Sequence, residues 1–430
     1  MRLLFYNSYI QKIVSSRFVK DSGWAVFGNG FANLLLLIVG IIFARLLGKD
    51  LYGEYGVVKT TMFHIAAFST FGLQSTATKI VADYLGENKG RLIPSIKACL
   101  RITIIVSFLL MLLLLLFSKS LAIFANEPSL EIPFRYLGVI LVCQAITSTT
   151  TGILAGFKEF KGACIINNIS ALSLLILGFF FTYLWGLNGT LLALLVNQII
   201  NALLNSLLIK YKVNKLPQEL YLDNNYKADK DVLFFTFPIA LQELSYTFST
   251  WGSTLLLTRY SSLGEVGLWS AAAQWNSVIL VVPGLLSNVI LSYLSSTKEH
   301  KIKKKMVNRM LLINLCCTLF PFIVVVLLSG LITSFYGPSF ENLKNVLNIS
   351  IFSSIFIGLS NVLQSNLLSL GRTWLLFSLR LVRDSLIIIV LFVTLKTTYE
   401  NAAQHMALIF VCVYFFYFLL MYTAFIRNNK

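Results

Sequence analysis

Charge is what this sequence has least of. Only 12% of its 430 residues are Asp, Glu, Lys or Arg, against 57% hydrophobic residues, and a water-soluble globular protein carries about twice that charge. Such a chain cannot hydrate its own surface, which excludes a freely soluble catalytic domain. Acidic residues are the scarcest class, 18 against 35 basic ones, for a net charge of +17. A surplus of that size fits nucleic-acid binding in a soluble protein, but here the bases fall into alternate loops between apolar runs, so no nucleic-acid partner is expected.

Other absences narrow the chemistry. There are three His and six Cys. All the cysteines (Cys99, Cys143, Cys164, Cys316, Cys317 and Cys412) lie in or at the ends of apolar runs, with no C-x-x-C and no His at metal-ligand spacing, so they read as small packing residues. No G-x-x-x-x-G-K-[ST], H-E-x-x-H or nucleophile elbow occurs, and no metal or cofactor site is expected. The stretch from Met1 to Lys20 is basic and lacks both a hydrophobic region of signal-peptide length and a small-residue cleavage site, so it is read as an uncleaved cytoplasmic or interfacial segment.

Long apolar runs are what the chain has in abundance. A crossing helix needs roughly 20 mostly apolar residues. Twelve such helices are predicted: Gly23 to Leu46, Tyr55 to Tyr84, Cys99 to Ile123, Phe134 to Phe157, Cys164 to Leu184, Thr190 to Tyr211, Val232 to Tyr260, Gly267 to Ser295, Leu311 to Phe335, Leu343 to Leu370, Trp374 to Leu395 and Ala402 to Ile426. The expected fold class is therefore an all-α polytopic membrane protein. Helix ends and loops on one side hold 24 bases and those on the other hold 6, so the base-rich side and both termini are placed in the cytoplasm.

The chain repeats itself. R-L-L-G-K-D-L-Y-G-E-Y-G from Arg45 corresponds to R-Y-S-S-L-G-E-V-G-L-W-S from Arg259, 214 positions later, with Gly53 and Gly267 each eight residues past the arginine. An offset of 215 pairs Gly156 with Gly371, and F-A-N-E-P-S from Phe124 resembles F-Y-G-P-S from Phe335 with one gap. The expected organisation is two six-helix lobes, residues 1–211 and 232–430, joined by a hydrophilic cytoplasmic linker at 212–231. Six helices per unit restore the orientation of the first unit in the second, so the repeat is parallel and its pseudo-twofold axis follows the membrane normal. Paired halves of this kind usually bind substrate between them.

Polar stripes mark the faces turned away from lipid. Helix 7 carries Thr236, Glu243, Thr247, Thr250, Thr254 and Thr258, with Glu243 roughly 18 Å from the cytoplasmic end and Pro238 nearby. Helix 8 carries Gln274, Ser277, Gly284, Asn288 and Ser292, helix 1 Asn29 and Asn33, and helix 2 Lys59, His64, Thr70 and Gln74. Asn197, Asn201 and Asn205 on helix 6 read as interhelical glue. A deep carboxylate such as Glu243 must pair with a cation from another helix, bind a proton or face water. On helix 11, Arg380 and Asp384 stand at ion-pair spacing, and Arg383 is within snorkelling reach of the cytoplasmic face.

F-A-R-L-L-G-K-D-L-Y-G-E-Y-G from Phe43, followed by F-G-L-Q-S-T-A-T-K-I-V-A-D from Phe71, resembles the start of the polysaccharide-transporter family. These are the Wzx-type O-antigen flippases of the multidrug, oligosaccharidyl-lipid and polysaccharide exporter superfamily. The resemblance implies a cavity between two lobes lined by helices 1, 2, 7 and 8. It also implies a substrate of undecaprenyl pyrophosphate carrying an oligosaccharide, moved from the cytoplasmic to the periplasmic leaflet of a bacterial inner membrane. The implied partners are this lipid-linked oligosaccharide, membrane lipids, a polysaccharide polymerase and a chain-length regulator. The candidate cavity residues are Asn29, Asn33, Lys59, Thr70, Gln74, Glu243, Thr247, Thr250, Gln274 and Asn288, with Arg45, Gly53, Arg259 and Gly267 as an outer-rim motif. The alternatives are a drug/cation antiporter of the same superfamily, coupled through Glu243, and an integral-membrane polysaccharide polymerase, which would need a larger outer loop than any present.

Overall fold

The computed structural model describes residues 17–70, 73–86, 91–215, 247–296, 299–397 and 400–427. Among them the regular structure is entirely helical. The helices are α1 Arg17–Thr70, α2 Leu73–Gly86, α3 Leu92–Phe124, α4 Glu131–Gly156, α5 Phe160–Asn214, α6 at 247–260, α7 Leu263–Ile279, α8 Val281–Ser296, α9 His300–Leu327, α10 Ser329–Tyr336, α11 Leu343–Ser369, α12 Thr373–Thr397 and α13 Ala402–Arg427.

Seven helices of the described residues are long and apolar enough to cross a membrane, and two of these are hairpins. In an unbroken helix Phe43 and Tyr55 would stand about 18 Å apart, yet their rings meet at 5.5 Å. The chain reverses between them at Gly48, whose φ of +73° only glycine adopts freely. Likewise the Thr182 and Thr190 hydroxyls, about 12 Å apart in a straight helix, lie 2.9 Å apart across a reversal at Gly186. Each 54- or 55-residue helix is thus two crossings joined by a single glycine.

Among the described residues the helices gather into two bundles, α1 to α5 in the first and α6 to α13 in the second. In the first, α1 packs most extensively on α5, and α4 packs on both α3 and α5; in the second, α11 is the hub that touches α7, α9 and α13. Inside the first bundle Asn197 accepts from Ser170 Oγ at 2.5 Å and donates to the Ser170 carbonyl at 3.0 Å, while Asn201 donates to the same hydroxyl. The Asn205 amide donates to Asn201 at 2.9 Å, so the asparagine ladder of helix 6 ties the two arms of α5 together.

Several ends differ from hydropathy. The second crossing starts directly after Gly48 and not at Tyr55, because the turn is one glycine long. Helix 9 begins at His300 and not at Leu311: its basic first turns are amphipathic, burying Lys303 and Val307 while Lys304 and Arg309 stay exposed. Helix 8 begins at Leu263 and is broken at Leu280, because Pro283 has no N–H to offer the preceding turn. The 212–231 linker lies outside the described residues from position 216 onward, and its first residues continue α5 as helix to Asn214.

The repeat is visible in the backbone, with one change of partner. Glu159 N donates to Leu154 O and Lys158 N to Ala155 O; Arg372 N donates to Leu367 O and Gly371 N to Leu368 O. These are the same C-terminal cap, with Lys158 at φ +58° standing where Gly371 stands at +70°. The structural counterpart of Gly371 is therefore Lys158, not Gly156. Gly156 instead lets α4 approach α2, since a Cβ there would meet Val81 Cβ at 2.6 Å. The F-A-N-E-P-S and F-Y-G-P-S segments are true counterparts: Asn126 and Gly337 both have positive φ, and each leads into a 3₁₀ turn, Pro128–Leu130 and Pro338–Phe340.

Candidate functional site between the bundles

The two bundles meet at the base-poor end, where α1 after its turn crosses α7 after Ser262. Ser262 caps α7 by accepting the Glu265 N–H. The approach is backbone to backbone. A Cβ on Gly53 would lie 1.8 Å from the Leu263 carbonyl oxygen, and one on Gly267 would lie 2.1 Å from the Lys49 carbonyl oxygen. With the 214-residue offset, Lys49 corresponds to Leu263 and Gly53 to Gly267. Residue i of one half therefore touches the equivalent of j while j touches the equivalent of i, as across a twofold axis. The outer-rim glycines are the crossing point of the two halves.

Polar contacts continue down both seams. Gln274 donates Nε2 to the Leu36 carbonyl at 2.7 Å and accepts from the Tyr52 hydroxyl at 3.2 Å, gripping both arms of α1 from α7. On the other seam the Trp251 indole donates to Thr61 Oγ1 at 3.2 Å, and the Thr250 hydroxyl lies 3.4 Å from His64 Nδ1. Arg259 reaches back to the first bundle, donating Nη1 to the Phe124 carbonyl at 3.0 Å with its guanidinium 4.8 Å from the Phe124 ring. That carbonyl ends α3, so the cation also complements a helix C-terminus. Toward the base-rich end, a Cβ on Gly30 or Gly284 would meet nothing within 4 Å among the described residues.

Carboxylates gather at the same base-poor end. Asp50 Oδ1 lies 2.6 Å from where a Gly264 Cβ would stand, and Glu54 is buried. Glu127, in the turn after α3, has its pKa raised first by burial and then by the negative charge of Asp50.

The predicted site residues separate into groups. Gln274, Thr247 and Thr250 lie on α7 and α6, and Gln274 and Thr250 bridge to the first bundle. Asn33 is half-buried on α1, and Lys59 is exposed with its ammonium 5.7 Å from the Tyr55 ring centroid. Gln74 is exposed on α2 and stays within the first bundle's contacts, accepting from Ser148 Oγ of α4 at 2.9 Å. Asn29, Thr70 and Asn288 lie in α1 and α8, their side chains outside the description, and Glu243 and Thr236 fall outside the described residues. Arg45 is exposed at the base-poor rim.

Helical spacing misassigned one ion pair. Asp384 pairs with its neighbour Arg383 at 2.7 Å and not with Arg380, which donates instead to Gln364 Oε1 at 2.5 Å. Nor does Arg383 snorkel: it is 6% exposed, with its guanidinium 5.4 and 5.0 Å from the Tyr414 and Tyr417 rings. Aromatic faces and an adjacent carboxylate satisfy the cation where it stands, which removes the need to reach water. Tyr52, Thr61 and Trp251 are seam residues that the stripes missed. Trp251 directly follows Thr250, and an indole N–H inside a threonine stripe is the signal that points to it.

An open cavity of about 800 Å³ lies beside the second seam, between the end of α3, α6 and α12. Its walls are mostly apolar and Arg259 stands at its base-poor end.

The family described as "Polysaccharide biosynthesis protein" matches residues 18–297, well over half of the chain. A Shigella flexneri protein named "Putative O-antigen transporter" is 21% identical over 363 residues, covering 83% of this chain and 85% of that one. Among solved structures, an inward-facing multidrug resistance MATE family transporter of the MOP superfamily superposes with a TM-score of 0.79 at 15% identity, over 93% of this chain and 95% of that one. The lipid II flippase MurJ, in an inward closed conformation, superposes with a TM-score of 0.73 at 17% identity, over 92% and 86% of the two chains. The likenesses to the two solved structures show that the chain shares their all-helical, multi-pass fold.

Proposed function

Since the chain belongs to the polysaccharide biosynthesis protein family, we propose that it is the flippase of a bacterial inner membrane for undecaprenyl-pyrophosphate-linked oligosaccharide, a transporter and not an enzyme. It carries the O-antigen or capsule repeat unit from the base-rich cytoplasmic side to the other leaflet by alternating access. The observation that carries this reading is the reciprocal crossing of Gly53 and Gly267. Two bundles joined most closely at one end through a self-complementary backbone contact can rock about it. The related name, O-antigen transporter, supplies the substrate class.

In this reading the head group enters between the bundles from the base-rich side. Asn33, Lys59, Thr247 and Thr250, with Asn29, Thr70, Glu243 and Asn288, offer donors and acceptors to the glycan, and Lys59 offers a charge to the pyrophosphate. The isoprenoid tail stays in hydrocarbon throughout. Gln274, Trp251 and His64 hold the closed seam and must release their partners when the base-poor end opens. Both termini lie in the cytoplasm, and the polymerase and chain-length regulator act on the delivered product.

Deleting the gene from a strain with no second flippase tests this. Lipid-linked repeat units should accumulate on the cytoplasmic side and surface polysaccharide should vanish, both restored by the wild-type chain. Normal surface glycan in the deletion strain would overturn the proposal.

A further inference from the structure

The cavity beside the second seam has the dimensions of a lipid site and not of a head-group site. Along α6 it runs from Phe248 to Arg259 and along α12 from Phe377 to Ile389, a rise of roughly 16 to 18 Å. Half of a hydrocarbon core is about 15 Å. The α6 wall lies in the base-poor half and the α12 wall, which begins one turn after Thr373, lies in the base-rich half and the middle, so the cavity runs from head-group depth at Arg259 past the bilayer midplane and is longer than one leaflet. Phe248 and Ile389 at its mouth are 63% and 58% exposed, so it opens sideways toward the hydrocarbon. Gly252 keeps its floor low: a Cβ there would stand 3.1 Å from Ile388 Cδ1, the only neighbour within 4 Å among the described residues.

Two further features select the occupant. Arg259 closes the trough at head-group depth; its guanidinium has five N–H donors, one of which goes to the Phe124 carbonyl. A planar fork of this kind suits a phosphate. The trough also straddles the seam, because Leu121 and Phe124 come from the first bundle while the other walls come from the second. Any rocking that separates the bundles at this end must move Phe124 away from Arg259 and free that donor.

We propose that this trough is the docking site for the isoprenoid chain of the delivered lipid carrier, with its pyrophosphate held by Arg259 at the base-poor end. The proposal rests on the flippase reading. It adds a place for the tail of the substrate outside the path of its head group. Arg259 then alternates between two acceptors, the Phe124 carbonyl when the base-poor end is closed and the pyrophosphate when it is open.

The test is photo-crosslinking of the full chain in nanodiscs with a diazirine-bearing polyprenyl pyrophosphate, followed by peptide mapping. Label is expected on peptides spanning 248–259 and 377–389. A tenfold excess of unlabelled undecaprenyl pyrophosphate should remove it, and the same excess of phosphatidylglycerol should not. Arg259→Gln, an exposed substitution, should lower labelling about tenfold, the effect of one lost charge-assisted contact, and Leu255→Trp should abolish it by filling the trough. Equal competition by phosphatidylglycerol would identify an ordinary acyl-chain groove and overturn the proposal, as would label confined to other helices or unchanged labelling of Arg259→Gln. Complementation of the deletion strain separates the two claims. If the wild-type chain restores surface polysaccharide and the trough is not labelled, the docking site fails and the flippase reading stands.

Discussion

Replacing Gly53 with alanine places a methyl group at the point where the bundles touch. The Cβ would sit 1.8 Å from the Leu263 carbonyl oxygen, whereas an ordinary C···O contact is about 3.3 Å, so the crossing must separate by about 1.5 Å. No flexible side-chain tip can yield there, because the opposing atom is backbone. Overpacking of this kind typically costs about 1–3 kcal/mol, which displaces the equilibrium between closed and open base-poor ends by about 5- to 150-fold. Gly267→Ala acts at the mirror contact with the Lys49 carbonyl. Once one methyl has separated the helices the second has less left to disrupt, so the double variant should fall short of additivity by about 0.5–3 kcal/mol. The assay is electron–electron distance measurement between spin labels at Leu51 and Glu400, exposed positions on the two bundles, in a background with the six free cysteines replaced. The expected result is a longer-distance population that grows in each single variant. A distance distribution identical to wild type in both, or strictly additive shifts in the double variant, would refute the idea that these glycines hold the closed end.

Further expectations follow from other contacts. Asp384→Asn removes the carboxylate paired with the buried Arg383 guanidinium and should lower stability by about 3–5 kcal/mol, seen as a fall in thermal unfolding temperature in detergent; replacing Arg383 and Asp384 together by Met and Leu should cost less. Trp251→Phe keeps the ring and removes the N–H to Thr61, so unfolding should become easier by about 0.5–1.5 kcal/mol. Gly48→Ala must hold an L side chain at φ +73° and should destabilise by about 1–2 kcal/mol, more than Gly30→Ala, which meets open space. Because burial and Asp50 raise the pKa of Glu127, its penalty is absent below the ordinary carboxylate range, where folded and unfolded chains are both protonated. The penalty grows as pH rises toward the folded-state value. Unfolding temperature should therefore fall across that window in the wild-type chain and fall less in Glu127→Gln.

Much of the architecture was legible in composition and spacing. Hydropathy alone located the crossings among the described residues, because a 30 Å hydrocarbon slab demands apolar runs of one length wherever they occur. The 214-residue offset placed Gly53 opposite Gly267 in the repeat, since duplicated segments keep their register along the chain. Helix ends were less legible: the starts at His300 and after Gly48 depend on amphipathic turns and on one backbone angle, neither of which hydropathy records.

Side-chain partners belong to the tertiary structure. Spacing on one helix offered Asp384 to Arg380, but the pair forms with Arg383 because Tyr414 and Tyr417 of α13 wrap that guanidinium. Gln74 and Gln274 look alike as glutamines on polar stripes, yet one bonds a helix of its own bundle and the other bridges two. The chain itself determined that this is a twice-repeated helical membrane protein, because periodicity and transfer energy are properties of consecutive residues. Only the packed fold decided that the repeated glycines touch each other's halves, and which polar groups face the seam. Those facts depend on how distant helices approach, and no local pattern carries that distance.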